Sequence, residues 1–172
     1  MKALAETLQQ DTQLGIDIGV TRLPYFDGKA RGIVESGLYG VAPEQVYLVG
    51  YDTLVRVFDE KYYGVGGESA EGNTTLDKKR RMKTALDTFF QRAELRVFPR
   101  PDDGWGSIEE QRDWLRAAVD EAWSARVLVE EGDDLAGVSS SRVRNTVKMG
   151  GRLDGLVNDG VKWWIEREKL YR

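Results

Sequence analysis

Cysteine is absent from the 172-residue chain, which excludes disulfide bonds and thiolate metal sites. Histidine is absent as well. With it go the side chain used most often for proton transfer near neutral pH and the commonest metal ligand. Any chemistry must rest on Asp, Glu, Ser, Lys and Arg, or on a bound metal or substrate. No apolar run approaches the ~20 residues of a membrane helix, and the opening MKALAETLQQ lacks the long apolar core of a secretory signal. The expectation is therefore an intracellular protein, cytoplasmic or nuclear, with no membrane partner. A net charge of −4 argues against a general nucleic-acid binder, while leaving room for a local basic patch. Neither the G-x-G-x-x-G dinucleotide fingerprint nor the P-loop G-x-x-x-x-G-K-S/T occurs.

What is present is the alternation of an α/β domain. Four short segments rich in Val, Ile, Leu or aromatics read as buried strands: IDIGV (16–20), QVYLVG (45–50), LRVFP (95–99) and ARVLVE (125–130). Helical spacing falls between them. Met82, Leu86, Phe89 and Phe90 share one face of a helix starting near Leu76. Ile108, Leu115 and Val119 do the same in the next, whose Ser107 and Glu110 form a capping-box pattern. Val157, Val161, Trp164 and Ile165 line the last helix. Such alternation implies parallel strands with helices on the faces of the sheet. The polar stretches YYGVGGESAEGNTT (62–75) and RPDDGWG (100–106) read as loops too short to separate domains, so a single domain over 1–172 is expected.

Two junctions could carry chemistry. In GVSSSRVRNTVKMGG (137–151) three serines stand beside Arg142 and Arg144, more hydroxyls than one helix cap requires. If a helix starts here, its free N–H groups and dipole favour an anion. Ser141 and Arg144, three apart, then share a face, with the guanidinium arranged for phosphate oxygens. The plainer reading of a bare S-x-x-R is a serine cap followed by solvated arginines. The second junction is VYLVGYDTLVRVFDEKYY (46–63), where an apolar strand ends at Gly50 and a helical pattern starts at once. Ligands of open α/β sheets bind at the carboxyl ends of strands. Gly50 would allow close approach and Asp52 could accept from a ribose hydroxyl; a glycine turn with an aspartate cap is the plainer alternative. Arg100, just past the third strand, could reach a phosphate. The cations of LDKKRRMK (76–83) read as a solvated helix face, and EEGDD (130–134) as a solvated loop rather than a metal site. Trp164 fits the buried stripe of the last helix, which favours packing over base stacking.

Taken in order, these segments resemble the nicotinamide/nicotinate mononucleotide adenylyltransferases, most closely the fungal adenylyltransferase-like branch. VSSSRVR resembles the signature I-S-S-T-x-I/V-R, with Ser141 in the Thr place and Arg144 as the final Arg. LVGYDTLVRVF is similar to G-(S/A/Y)-D-x-L-x-x-F, the tail LVNDGVKWWIEREKLY to the closing pattern, and IGVTRLPYFDGKA to the segment after the third strand. The resemblance implies a Rossmann-like nucleotidyltransferase fold in which the mononucleotide phosphate attacks the α-phosphate of ATP, with Mg²⁺ assisting and pyrophosphate leaving. It puts Ser140, Ser141, Arg142, Val143 and Arg144 at the ATP phosphates, with Arg144 catalytic, Gly50 and Asp52 near nucleotide and ribose, and Arg100 at a further nucleotide contact.

The family's opening strand and its G-x-F/S-x-P-x-H-x-G-H loop have no counterpart here. The resemblance therefore implies a chain corresponding to the C-terminal two-thirds of the fold, without its first two strands. With IDIGV and QVYLVG as the third and fourth strands of a 3-2-1-4-5 sheet, the missing pair would leave apolar edges open to association. The competing readings are a non-catalytic ATP- or nucleotide-binding regulatory protein, and a partner that lends its surface to a full-length paralogue.

Overall fold

The computed structural model describes residues 15–64, 74–101, 104–130 and 139–171. The chain divides into two compact units, Arg22–Ala136 and Met1–Thr21 with Gly137–Arg172.

The first of these is an α/β unit. Along it run α1 (Phe26–Ser36), β1 (Gln45–Gly50), α2 (Tyr51–Val57), α3 (Thr75–Phe89), β2 (Ala93–Phe98), α4 (Ile108–Ala118) and β3 (Val127–Val129). Short 3₁₀ turns cover Glu60–Tyr63 and Glu121–Arg126. The strands form a parallel sheet in the order β1-β2-β3, with Gln45 opposite Ala93 and Leu95 opposite Val127. Helices flank it, as the strand–helix alternation requires.

Period-two patterning sets the two faces of the sheet. Ala93, Leu95 and Val97 of β2 turn into the core, while Arg96 on the opposite face forms ion pairs with Glu94 and, at 3.0 Å, with Glu130. On β1, Gln45 and Val49 are buried, but Val46 and Leu48 remain 59% and 71% exposed. The core joins this inner face to Leu54 of α2, Leu86 and Phe89 of α3, and an aromatic group in which Phe90 stacks on Trp123 and Phe58. Burying a leucine as fully as Leu54 or Leu86 stabilises by roughly 1.5–3 kcal/mol. The Trp123 indole N–H is satisfied by Asp87 at 2.9 Å. Both long helices start as their sequences ask: capping boxes pair Thr74 with Asp77 at α3 and Ser107 with Glu110 at α4.

Three of the four expected strands form. IDIGV does not: residues 15–24 carry no regular secondary structure, and Ile18 and Val20 are 51% and 99% exposed. The segment has strand composition, but it is not a strand of the sheet among the described residues, and Gly15 and Gly19 weaken an extended conformation. The expected gap between IDIGV and QVYLVG therefore has no strand on its IDIGV side.

In the second unit α5 (Ser140–Lys148) and α6 (Asp159–Arg167) pack through Val143, Leu153 and Ile165, supported by Val147, Val157 and Val161. Asp154, between the helices, accepts from Lys162 Nζ at 2.5 Å and Arg152 Nε at 2.7 Å. Asn158 caps α6 through the Val161 N–H at 2.8 Å. The expected burial of Trp164 is corrected, since it is 45% exposed. The buried line follows Val157, Val161 and Ile165 at four-residue spacing, and Trp164 sits about 100° round the helix from Ile165.

Candidate functional site

Parallel, in-register pairing decides what meets at the carboxyl end of the sheet. Gly50 lies opposite Phe98, so the chain leaves β1 and β2 at one level and Arg100 emerges two residues later beside the start of α2. There Arg100 Nε stands 2.9 Å from Asp52 Oδ1, with both side chains about three-quarters buried. The contact is an ion pair; its N–H is not aligned for a good hydrogen bond. Asp52 sits in the first turn of α2, where a negative charge suits the helix dipole. The pair crosses directly over Gly50. A Cβ there would fall 2.6 Å from an Arg100 guanidinium nitrogen and 2.7 Å from Asp52 Oδ1. At φ −76° the glycine matters for the room it leaves the two side-chain tips, not for its backbone freedom. The Gly50–Asp52 junction and Arg100, two separate candidates in the sequence, thus form one cluster.

Gln111 holds that cluster and was not anticipated. Only 3% exposed on α4, it accepts from the Arg100 N–H through Oε1 at 3.0 Å and donates from Nε2 to the Gly106 carbonyl at 3.1 Å. It pins both sides of the loop that carries Arg100. The available signal was its spacing: Ile108, Gln111 and Leu115 fall on one stripe, and a polar residue on an apolar stripe needs a partner. Tyr51 packs edge-on against Trp105 and Trp114, with centroids 5.9 and 5.7 Å away, and burial raises its phenol above the ordinary value.

A cavity of about 380 Å³ borders α2 through Thr53, Arg56 and Val57. Tyr25, Phe26, Tyr62 and Tyr63 give it aromatic walls, and Lys29 adds a cation. Burial, with Asp27 next in importance, pushes the Tyr63 phenol up, and its hydroxyl donates to the Val57 carbonyl at 2.8 Å. None of these aromatics was singled out from the sequence.

In the other unit, the three serines divide their work. Ser139, 7% exposed, caps α5 by accepting from the Arg142 N–H at 3.1 Å. Ser140, Ser141, Arg142 and Arg144 are exposed. Arg144 donates to Ser141 Oγ at 3.1 Å, so the two share a face as their spacing requires. The Val143 side chain is buried in the unit's core and its N–H donates to the Ser139 carbonyl at 3.0 Å. Gly137 and Val138 lie outside the described residues, as do 131–134 of the acidic stretch.

Chemically, the first cluster offers a carboxylate acceptor beside a guanidinium, and the second offers hydroxyls and two guanidinium groups at a helix start. Both suit a phosphorylated sugar. Among the described residues, no three Asp or Glu side chains gather where they could hold a metal ion, and no helix is long and apolar enough to cross a membrane.

No known family model matches the chain. The chain is similar to a Schizosaccharomyces pombe protein named "Putative nicotinamide mononucleotide adenylyltransferase", at 31% identity over 143 residues. The match covers 78% of this chain and 51% of that protein, so the chain spans about half the length of the curated relative.

Proposed function

We propose that this chain is an adenylyltransferase-like nucleotide-binding protein that takes ATP, as its Mg²⁺ complex, together with nicotinamide or nicotinate mononucleotide. The observation that carries the reading is the Gly50–Asp52–Arg100 cluster at the carboxyl end of a parallel sheet, where open α/β folds bind their ligands. Distant similarity to a protein named as an adenylyltransferase supports the same chemistry. Asp52 accepts from a ribose hydroxyl and Arg100 faces a phosphate. Ser140, Ser141, Arg142 and Arg144 serve the triphosphate, while Val143, whose N–H is taken by the Ser139 carbonyl, anchors α5 rather than contacting it. In the transfer, an acceptor phosphate oxygen bonds to the α-phosphorus of ATP, the bond to the β-phosphate bridging oxygen breaks, and pyrophosphate leaves. The residues position and neutralise; no covalent enzyme intermediate is needed. Mg²⁺ enters with the nucleotide, as the phosphate complex.

Binding without turnover is the second reading. It is favoured by the lack of any histidine, which leaves this chain no imidazole to polarise phosphates; losing one major charge-stabilising group costs about 10²–10³ in rate. Calorimetry with ATP, alongside NAD formation from ATP and the mononucleotide, separates the readings. Arg144→Ala is expected to weaken ATP binding by ~1.5–3 kcal/mol, the range of hydrogen bonds to charged groups. Unchanged ATP affinity in that variant removes the phosphate role of α5. Turnover by the purified chain at the rate of an intact enzyme removes the second reading.

A further inference from the structure

Asp52 and Arg100 together have a property that neither has alone. Arg100 Nε lies 2.9 Å from Asp52 Oδ1, and the two side chains are only 24% and 28% exposed, in that order. Yet the buried Asp52 Oδ1 accepts no aligned hydrogen bond. Charge at short range holds the pair, and the carboxylate keeps its capacity to accept. Gly50 makes the arrangement possible. Arg100 Nη2 and Asp52 Oδ1 both come within 2.7 Å of where a Cβ would stand, so the two tips rest on bare backbone. Gln111 holds the Arg100 N–H, and Asp52 belongs to the first turn of α2. A ligand therefore meets the two groups as a pair.

Such a pair treats ligands unequally. An anion that takes Arg100 must share the guanidinium with the Asp52 carboxylate, and juxtaposed negative charges repel. Inorganic phosphate or pyrophosphate brings no hydroxyl for Asp52. It leaves a partly buried carboxylate whose counter-charge has been drawn away, which is costly. A ribose phosphate brings both halves of the exchange. Its phosphate oxygens accept from the guanidinium, and its hydroxyls donate to the carboxylate. Each member of the pair gains a new partner as it gives up the old one.

We propose that Asp52 is the specificity-determining residue of this cluster: it admits a phosphate to Arg100 only when a sugar hydroxyl arrives with it. The class recognised is a ribose phosphate with free hydroxyls, a unit common to ATP and the mononucleotide. The classes turned away are inorganic phosphates and deoxy sugars. The inference rests on reading the cluster as a nucleotide site, and goes beyond it by making selection a property of the ion pair. The same device keeps pyrophosphate, the departing product of adenylyl transfer, from lodging on Arg100.

The test uses the full chain and calorimetry with AMP, nicotinamide mononucleotide, the dideoxyribose analogue of each, and inorganic pyrophosphate. Whichever of the two nucleotides binds should do so about tenfold or more tighter than its dideoxy analogue, the worth of a hydrogen bond to a charged group. Asp52→Asn keeps an acceptor and loses the charge. It should bind pyrophosphate about tenfold or more tighter than the parent does, because the like charge beside Arg100 is gone. Asp52→Ala should lose the ribose preference. In Asp52→Asn/Arg100→Gln the pyrophosphate gain should vanish, which locates it at Arg100 rather than at α5. Circular dichroism should report an unchanged fold in each variant, and the ribose preference of the parent needs no variant. Equal affinity for the ribose and dideoxyribose forms overturns the proposal while a nucleotide site still stands. So does pyrophosphate affinity unchanged by Asp52→Asn. Binding of neither nucleotide by the parent overturns both the proposal and the nucleotide reading of the cluster.

Discussion

At position 50 a single methyl group would compete with an ion pair. Arg100 and Asp52 meet across Gly50, so a Cβ there displaces the tips of two side chains rather than backbone. Gly50→Ala should accordingly change stability by less than about 1 kcal/mol, since the extended φ and ψ of Gly50 suit alanine and the loss of chain freedom in the unfolded state offsets minor strain. ATP affinity should fall by ~1.5–3 kcal/mol as the guanidinium is pushed aside. Denaturant unfolding and calorimetry on the same sample check both halves; full ATP affinity would detach this cluster from nucleotide binding. The residues themselves were legible: a glycine after a strand, an aspartate in the following turn and an arginine past another strand each stood out by type. Their convergence was not, because it depends on the register that sets Gly50 opposite Phe98. The serine run shows the converse. Three hydroxyls were visible, but which one caps depends on where α5 begins, and Ser139 takes that role.

At the scale of elements, α4 works as a latch through Gln111. Gln111→Ala leaves the Arg100 N–H and the Gly106 carbonyl without the partner they have now, and a buried polar group so deprived costs about 1–3 kcal/mol. We expect ~2 kcal/mol of destabilisation by denaturant unfolding, with faster hydrogen exchange at Arg100. Protection equal to that of the parent would mean the loop is held by other contacts. In the other unit, the tie between α6 and the preceding turn is set by pH. The hydrogen bond from Lys162, and then that from Arg152, lower the Asp154 carboxyl from 3.8 to about 2. A depressed carboxylate stabilises the fold above its unfolded value, and the contribution fades as pH falls below 3.8 and through about 2. Acid titration of the Trp163 and Trp164 signals should show a step in that window that Asp154→Asn lacks. Elements were easier to read than partnerships. The capping residues of α3 and α4 act locally, and both helices formed with their boxes. IDIGV has the composition of a strand without forming one, because apolar composition does not fix which segment joins a sheet.

For the whole molecule, the sheet edge governs behaviour in concentrated solution. Among the described residues β1 has a neighbour on one side only, and QVYLVG carries neither charge nor proline to discourage edge pairing. Val46 and Leu48 add exposed apolar surface. Concentration-dependent association is expected in sedimentation velocity, and Val46→Lys/Leu48→Lys should suppress it without a change in circular dichroism. A monomer at every concentration would show that this edge is protected in solution.

The five tryptophans make the molecule its own reporter. Trp105, Trp114 and Trp123 belong to the α/β unit, and Trp163 and Trp164 to the other. Trp123, stacked on Phe90 and 5% exposed, should emit at short wavelength. Trp163, half exposed with the Arg167 guanidinium 4.7 Å from its ring centroid, should emit at long wavelength and yield readily to an aqueous quencher. Melting followed at the two ends of the emission band would then time the two units separately, without a label. Trp105, edge-on to Tyr51 beside the first turn of α2, gives a third signal, one that a nucleotide arriving at Asp52 should perturb.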